Sequence, residues 1–288
     1  MTTSLKKSVI PEKLALLTIP LIMQTSLGSN MSFVIVEDEF DREVYYKFFD
    51  FRLVQIYTSS LSEENTSGGN KNVIRIVTEL CSRIKNIPVL GIIDADYTRF
   101  NPAFSISGNI FRTDSRDIEM MMFQCPQVHY FLNIEFGNFH DYYLRSIVTA
   151  KQLGYIRLAN DVHKLRFNFK RYLKFNRILN SQTGDLDIQS FEEFTNLFFA
   201  NISNYSQTDF DQLLSQYTDI PDDQLCRGHD VLTLLANYLK NRTRKQEIHL
   251  YLAFYYSRNT FSQTRLFSNL RIWSQSNNRQ LFINQAYL

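Results

Sequence analysis

Phe33-Val-Ile-Val-Glu37-Asp-Glu-Phe-Asp41 and Val89-Leu-Gly-Ile-Ile-Asp94-Ala-Asp96 are two short apolar runs, each ending abruptly in carboxylates. Runs of this length, rich in β-branched residues, read as buried strands. In open α/β sheets, ligands gather at the carboxyl ends of such strands. Acidic side chains at those ends pack poorly but ligate divalent cations well.

Working outward, residues 31–145 alternate strand and helix. The pattern predicts a strand at Ser32–Val36, a helix at Phe40–Asp50 and a second strand at Phe51–Tyr57. A polar loop follows over Ser59–Gly69. Val73, Ile76, Val77, Leu80 and Ile84 recur at helical spacing within Lys71–Lys85, and Pro88–Ile93 is the third strand. Ile106–Arg112 is a fourth candidate, before a helix opened by Thr113-Asp114. Such alternation implies parallel strands with right-handed crossovers. Beyond residue 146 helical periodicities dominate, as in Ser190–Ile202, Val231–Asn241 and Gln246–Tyr256. The expected organisation is therefore an N-terminal extension (1–30) packing on the first domain, an α/β metal-binding domain (31–145) and a helical domain (146–288) for nucleic acid or a partner.

Side chains at i and i+2 of a strand share a side, so Asp94 and Asp96 are expected to face one site. If strands one and three are neighbours, Glu37 ends only ~5 Å away. Unit charges at that distance repel by roughly 3 kcal/mol at an effective dielectric of about 20. Such a trio calls for a cation, and all-oxygen ligation suits magnesium, or manganese in its place. The alternative is the rim of a solvated loop.

Composition narrows the class. Basic and acidic residues nearly balance, at 31 against 29, so net charge names no partner. Cys81, Cys125 and Cys226 are widely spaced, which argues against a disulfide framework or a zinc site and fits a reducing compartment. The apolar stretch near Leu14–Met23 is bracketed by Pro11 and Pro20. It is too short to span a bilayer, so the expected location is the cytoplasm.

The order strand–Glu37, helix, strand, Gly68-Gly69–helix, strand–Asp94-Ala-Asp96 resembles the TOPRIM domain of topoisomerases, primases and OLD-family nucleases. Thr113-Asp-Ser-Arg-Asp-Ile-Glu-Met-Met-Met122, and Cys226-Arg-Gly-His-Asp230 before an apolar helix, resemble a smaller bacterial set. That set includes the TOPRIM effectors paired with an ABC-type ATPase in the PARIS anti-phage system. The resemblance implies a TOPRIM-like parallel sheet flanked by helices. Glu37 would be a metal ligand or general acid/base, and Asp94 and Asp96 paired metal ligands. Asp41 would support the metal through water. TOPRIM proteins usually carry Gly after the glutamate, where this chain has Asp38. In the third motif Asp117 and Glu119 would not share a helix face, and Glu119 is favoured for catalysis. The structural alternative makes Asp114 a helix cap with Asp117 completing it.

Between Lys151 and Arg177 eight basic residues face a single acid, Asp161, with aromatics interleaved. A helix would place Arg166, Lys170, Lys174 and Arg177 on one face. With Lys164 and Arg171, that face is a candidate track for a phosphate backbone, or simply a solvated surface. Beyond Glu247 the chain has no carboxylate side chain, and Arg258, Arg265, Arg271 and Arg279 are spread along it. His229 is a candidate phosphate-positioning residue, with Asp230 as a helix N-cap; capping and packing alone would also explain both. His249 shows no partner pattern.

These features lead to one expected function, a magnesium-dependent endonuclease acting on nucleic acid. No Gly-rich loop ending in Gly-Lys-Ser/Thr is present, so any ATPase would be a separate subunit. The resemblance implies such a partner in abortive-infection defence, favours tRNA over DNA as substrate, and leaves a homodimer open. The competing expectations are a non-catalytic docking module, for which Asp38 is the best support, and an Asp-x-Asp transferase, which would leave Glu37 without a role.

Overall fold

The computed structural model describes residues 22–23, 30–59, 69–100, 106–202, 205–239 and 243–283. The chain is α/β and forms two compact units. One comprises Met1–Asp94, Ser105–Asp114 and Ser257–Leu288; the other comprises Ala95–Phe104 and Ser115–Tyr256. The division does not fall near residue 145, and the last thirty-odd residues belong with the sheet rather than with the helical region.

The first unit is built on a four-stranded sheet of order β2-β1-β3-β4. Its strands are β1 (Ser32–Val36), β2 (Val54–Thr58), β3 (Val89–Ile93) and β4 (Ile110–Arg112), and every pairing is parallel. All five residues of β1 and all five of β3 are buried. That is why both read as unbroken apolar runs rather than alternating ones. β1 pairs with β3 in the register Phe33↔Val89, Val34↔Leu90, Ile35↔Gly91. Helix α1 (Glu39–Tyr46) follows β1, and α2 (Asn70–Arg83) precedes β3, burying Val73, Ile76, Val77 and Leu80.

Two expected boundaries shift for a definable reason. Helix α1 stops at Tyr46, and β2 starts at Val54 rather than Phe51. Buried Asp50 accepts hydrogen bonds from the Arg52 backbone (3.1 Å) and from its guanidinium (2.9 and 2.7 Å), which folds the intervening residues into a turn. Phe48 and Phe49 stay buried, but beyond the helix. Ile22 is buried in this unit; most of the 1–30 extension and of the loop before Gly69 lies outside the described residues.

Asp114 does not open the helix that follows it. Its carboxylate accepts the backbone N–H groups of Arg265 (2.6 Å) and Leu266 (2.8 Å), capping a helix 151 residues away in sequence. That helix, and the short one before it, pack within the sheet unit, and the antiparallel bridge Phe49↔Phe282 ties the chain beyond them to it.

The second unit is helical. Numbered along the chain, it holds α3 (Ile118–Phe123), α4 (Pro126–Phe136), α5 (Phe139–Val162), α6 (Phe169–Tyr172), α7 (Phe175–Ile178), α8 (Ile188–Ala200), α9 (Gln207–Gln216), α10 (Asp222–Leu225), α11 (Gly228–Tyr238) and α12 (Lys245–Tyr255). The sheet unit resumes with α13 (Arg258–Ser262) and α14 (Arg265–Ser276). The three cysteines are free, with Cys81 exposed and the others buried. Among the described residues no helix is long and apolar enough to cross a membrane.

Replacing Asp114 by Ala strips two donors of their acceptor at the start of α14. The expected loss is about 1–2 kcal/mol, read as a lower urea midpoint with an unchanged slope.

Candidate functional site

In the sheet unit, the β1–β3 pairing places Glu37 and Asp94 at neighbouring strand ends. The Asp94 backbone N–H donates to Glu37 Oε1 at 3.0 Å, and Ser59 Oγ donates to the Glu37 carbonyl at 3.0 Å. Gly69, the N-cap of α2, presses on the other carboxylate oxygen. A Cβ at Gly69 would lie 2.5 Å from Glu37 Oε2, and its φ of +72° already favours glycine. Glu37 therefore sits against a helix N-terminus, where the dipole stabilises negative charge.

Asp38 and Asp41 have a local task. Asp38 Oδ1 accepts from the Asp41 N–H (3.1 Å) and Asp41 Oδ2 accepts from the Asp38 N–H (3.4 Å), a reciprocal capping box on α1. With φ at −142°, Asp38 has extended backbone that any residue adopts. Asp38 thus serves as a helix cap.

Asp96 falls in the helical unit. Its N–H donates to the Arg116 carbonyl at 2.8 Å. Burial raises its carboxyl pKa, opposed by the charges of Arg116 and Arg227. Arg116 is buried, donates to Tyr97 Oη (2.8 Å) and lies over the Tyr97 ring.

Asp117, not Asp114, is the N-cap of α3. One oxygen accepts from the Met120 N–H at 3.0 Å and the other from the Gly228 N–H at 2.8 Å, so two helix N-termini share one carboxylate. A Cβ at Gly228 would sit 2.5 Å from both Asp117 Oδ1 and Glu119 Cβ, so this approach requires glycine. Because Asp117 precedes the helix, the rule separating i and i+2 does not apply. Burial and the charge of Glu119 push Asp117 up to about 7, against the two backbone hydrogen bonds and Arg116.

Glu119 is the hub of a cluster. His249 Nε2 lies 3.1 Å and His229 Nε2 3.5 Å from Glu119 Oε1. Lys245 Nζ donates to His229 Nδ1 (3.0 Å), the His229 carbonyl (3.1 Å) and Thr233 Oγ1 (3.0 Å). A lysine donor at Nδ1 makes that nitrogen the acceptor, which leaves the proton on Nε2, facing Glu119. Burial alone would raise the Glu119 pKa; the His249 hydrogen bond and both imidazoles hold it below the usual value. Burial lowers the pKa of His229, while Glu119 works against that shift. Asp230 is not an N-cap: it sits inside the first turn of α11 in a bidentate pair with Arg157 (2.6 and 3.0 Å). His249 and Lys245 had one signal in the sequence, their i,i+4 spacing, but nothing tied them to Glu119.

The expected basic helix is not continuous. Lys164 and Arg166 have φ of +53° and +61°, and only the four-residue α6 and α7 form in this stretch. Asn160 Oδ1 accepts the Phe167 N–H and Asn168 caps α6, while Phe167, Leu173 and Ile178 turn inward. Lys164, Arg166, Lys170, Arg171, Lys174 and Arg177 are all exposed, but do not form one helical stripe.

Among the described residues no group of three or more His, Cys, Asp or Glu is placed to hold a metal ion. The Glu37–Asp94 pair nonetheless suits magnesium, which binds through one or two carboxylates and completes its shell with water and phosphate. No protein-family model matches the chain, and no curated protein matches it.

Glu119→Gln removes the charge that supports protonation of His229, so the His229 titration should move to lower pH. NMR titration of the imidazole carbons checks this; an unmoved or raised value would show that Glu119 is not its partner.

Proposed function

We propose that the chain is a TOPRIM-type, magnesium-dependent endonuclease of the OLD-like kind. Its place would be as the effector of an ATPase-coupled bacterial anti-phage system, acting in the cytoplasm by abortive infection. One observation carries the proposal: Glu37, at the end of β1, receives the N–H of Asp94, at the end of β3. Two strand-end acids 57 residues apart in sequence are thereby joined where open α/β sheets bind ligands.

In this reading Glu37 and Asp94 hold the divalent ion, which when bound activates water and stabilises the leaving oxygen. The chain's own part is orientation. The Asp94 N–H and the close backbone at Gly69, the N-cap of α2, fix the Glu37 carboxylate. Asp96, two residues beyond Asp94 in sequence, is assigned the paired-ligand role by the resemblance alone, as is Asp41 its supporting role. By the resemblance alone Glu119 would be catalytic, and His229 with the exposed basic residues between Lys164 and Arg177 would bind nucleic acid. The preference for tRNA over DNA, an ABC-type ATPase partner and a homodimer come from the resemblance.

The competing readings lose support. Asp38, the best argument for a non-catalytic docking module, is accounted for as a helix cap. A transferase using only Asp94 and Asp96 would leave the Glu37–Asp94 bond without a purpose.

The test uses purified full chain with bulk tRNA and, separately, plasmid DNA. Cleavage with magnesium, abolished by EDTA, is expected on tRNA. Glu37→Ala should slow it by roughly a hundredfold or more, the scale of losing one group that stabilises transition-state charge. Glu37→Ala cleaving at the wild-type rate, or no cleavage with a triggered ATPase partner present, would overturn the proposal.

A further inference from the structure

Helix α14 and the chain that follows it flank an open, solvent-facing groove of about 590 Å³ in the sheet unit. Sites for small molecules typically span roughly 300–1,000 Å³. Arg271, Ser274 and Gln275 line it from one face of α14, and Asn278 from just beyond the end of the helix. Arg279, Gln280 and Phe282 line it from the returning chain.

The walls are held in place. The Asn278 N–H donates to the Gln275 carbonyl (3.2 Å), the Arg279 N–H to the Ser274 carbonyl (2.9 Å) and the Asp50 N–H to the Leu281 carbonyl (2.9 Å). Asn278 takes a φ of +49°, a left-handed conformation that Asn tolerates. The Phe282 ring stacks on Phe49 at 5.3 Å and leans on Phe267 at 4.6 Å.

The lining has a definite polarity. Among the described residues neither the Arg271 nor the Arg279 guanidinium is in an ion pair. The sequence from Ile248 to Leu288 contains no carboxylate side chain. The C-terminus of α14 contributes only about half a negative charge, so two full cations leave the groove attractive to anions. Guanidinium forks match phosphate oxygens in pairs. Gln275 and Asn278, both exposed, each offer a donor and an acceptor on one amide, the complement of a base edge. Phe282 supplies an aromatic face.

We infer that this groove binds a nucleotide unit, its phosphate held between Arg271 and Arg279 and its base set against Phe282 and the amide side chains. The unit is either a free nucleotide or one residue of a nucleic-acid strand. The inference stands apart from the nuclease proposal, because it uses none of Glu37, Asp94 or Glu119.

The experiment measures binding to the full chain in EDTA, where no metal-dependent cleavage occurs. The probes are AMP, GMP and a fluorescent single-stranded RNA pentanucleotide. Wild type is expected to bind, and Arg271→Gln and Arg279→Gln each to weaken binding by about tenfold or more, the scale of a lost charge-assisted hydrogen bond. Circular dichroism checks that the variants remain folded, and Arg271→Lys, which keeps the charge but not the fork, should fall between. Competition by the mononucleotides against RNA assigns a free nucleotide; RNA binding without it assigns a strand. Failure of all three probes, or glutamine variants binding like wild type, overturns the inference.

Discussion

The parallel pairing of β1 with β3 is the constraint on which the placement of Glu37 and Asp94 in the sheet unit depends. Both strands are buried along their whole length, so a slip by one residue would exchange the side chains packed on the two faces of the sheet. That fixed register sets Glu37 beside the Asp94 N–H. The same carboxylate meets the N-terminus of α2, where only glycine allows the approach. The Glu37 carboxylate is thereby fixed by backbone from two elements, the Asp94 N–H on one oxygen and the close approach of Gly69 on the other.

The helical unit applies the same physics at Asp117, one buried carboxylate answering the orphan N–H groups at the starts of both α3 and α11. Gly228 lets α11 come close enough for this. Glu119 follows two residues later on α3 and gathers His229 and His249, with Lys245 setting the tautomer of His229. The acids of the sequence motifs thus fall into two groups. Asp38, Asp41, Asp114 and Asp117 are spent on helix N-termini, whereas Glu37 and Glu119 cap no helix and are held in place by other groups.

Much of the sheet unit was legible in the sequence. β1 was placed to the residue, and α2 and β3 to within two, because burial on both faces writes an unbroken apolar run and helical spacing writes a stripe. The basic segment was misread, since evenly spaced charges look helical whether or not the backbone continues. There the decision belonged to Phe167, Leu173 and Ile178, whose inward turns break the segment into two short helices. Asp114 was misread for a related reason: a capping acid beside a helix in sequence need not cap that helix in space.

The sequence by itself determined the α/β class, the parallel strands and the positions of the strand-end acids, because these rest on the local alternation of apolar and polar residues. Only the tertiary structure decided which acids are caps, that Glu119 meets two histidines distant in sequence, and that the last segment returns to the sheet. Those outcomes depend on hydrogen-bond donors at helix ends far along the chain, and no local pattern records which partner a donor will find.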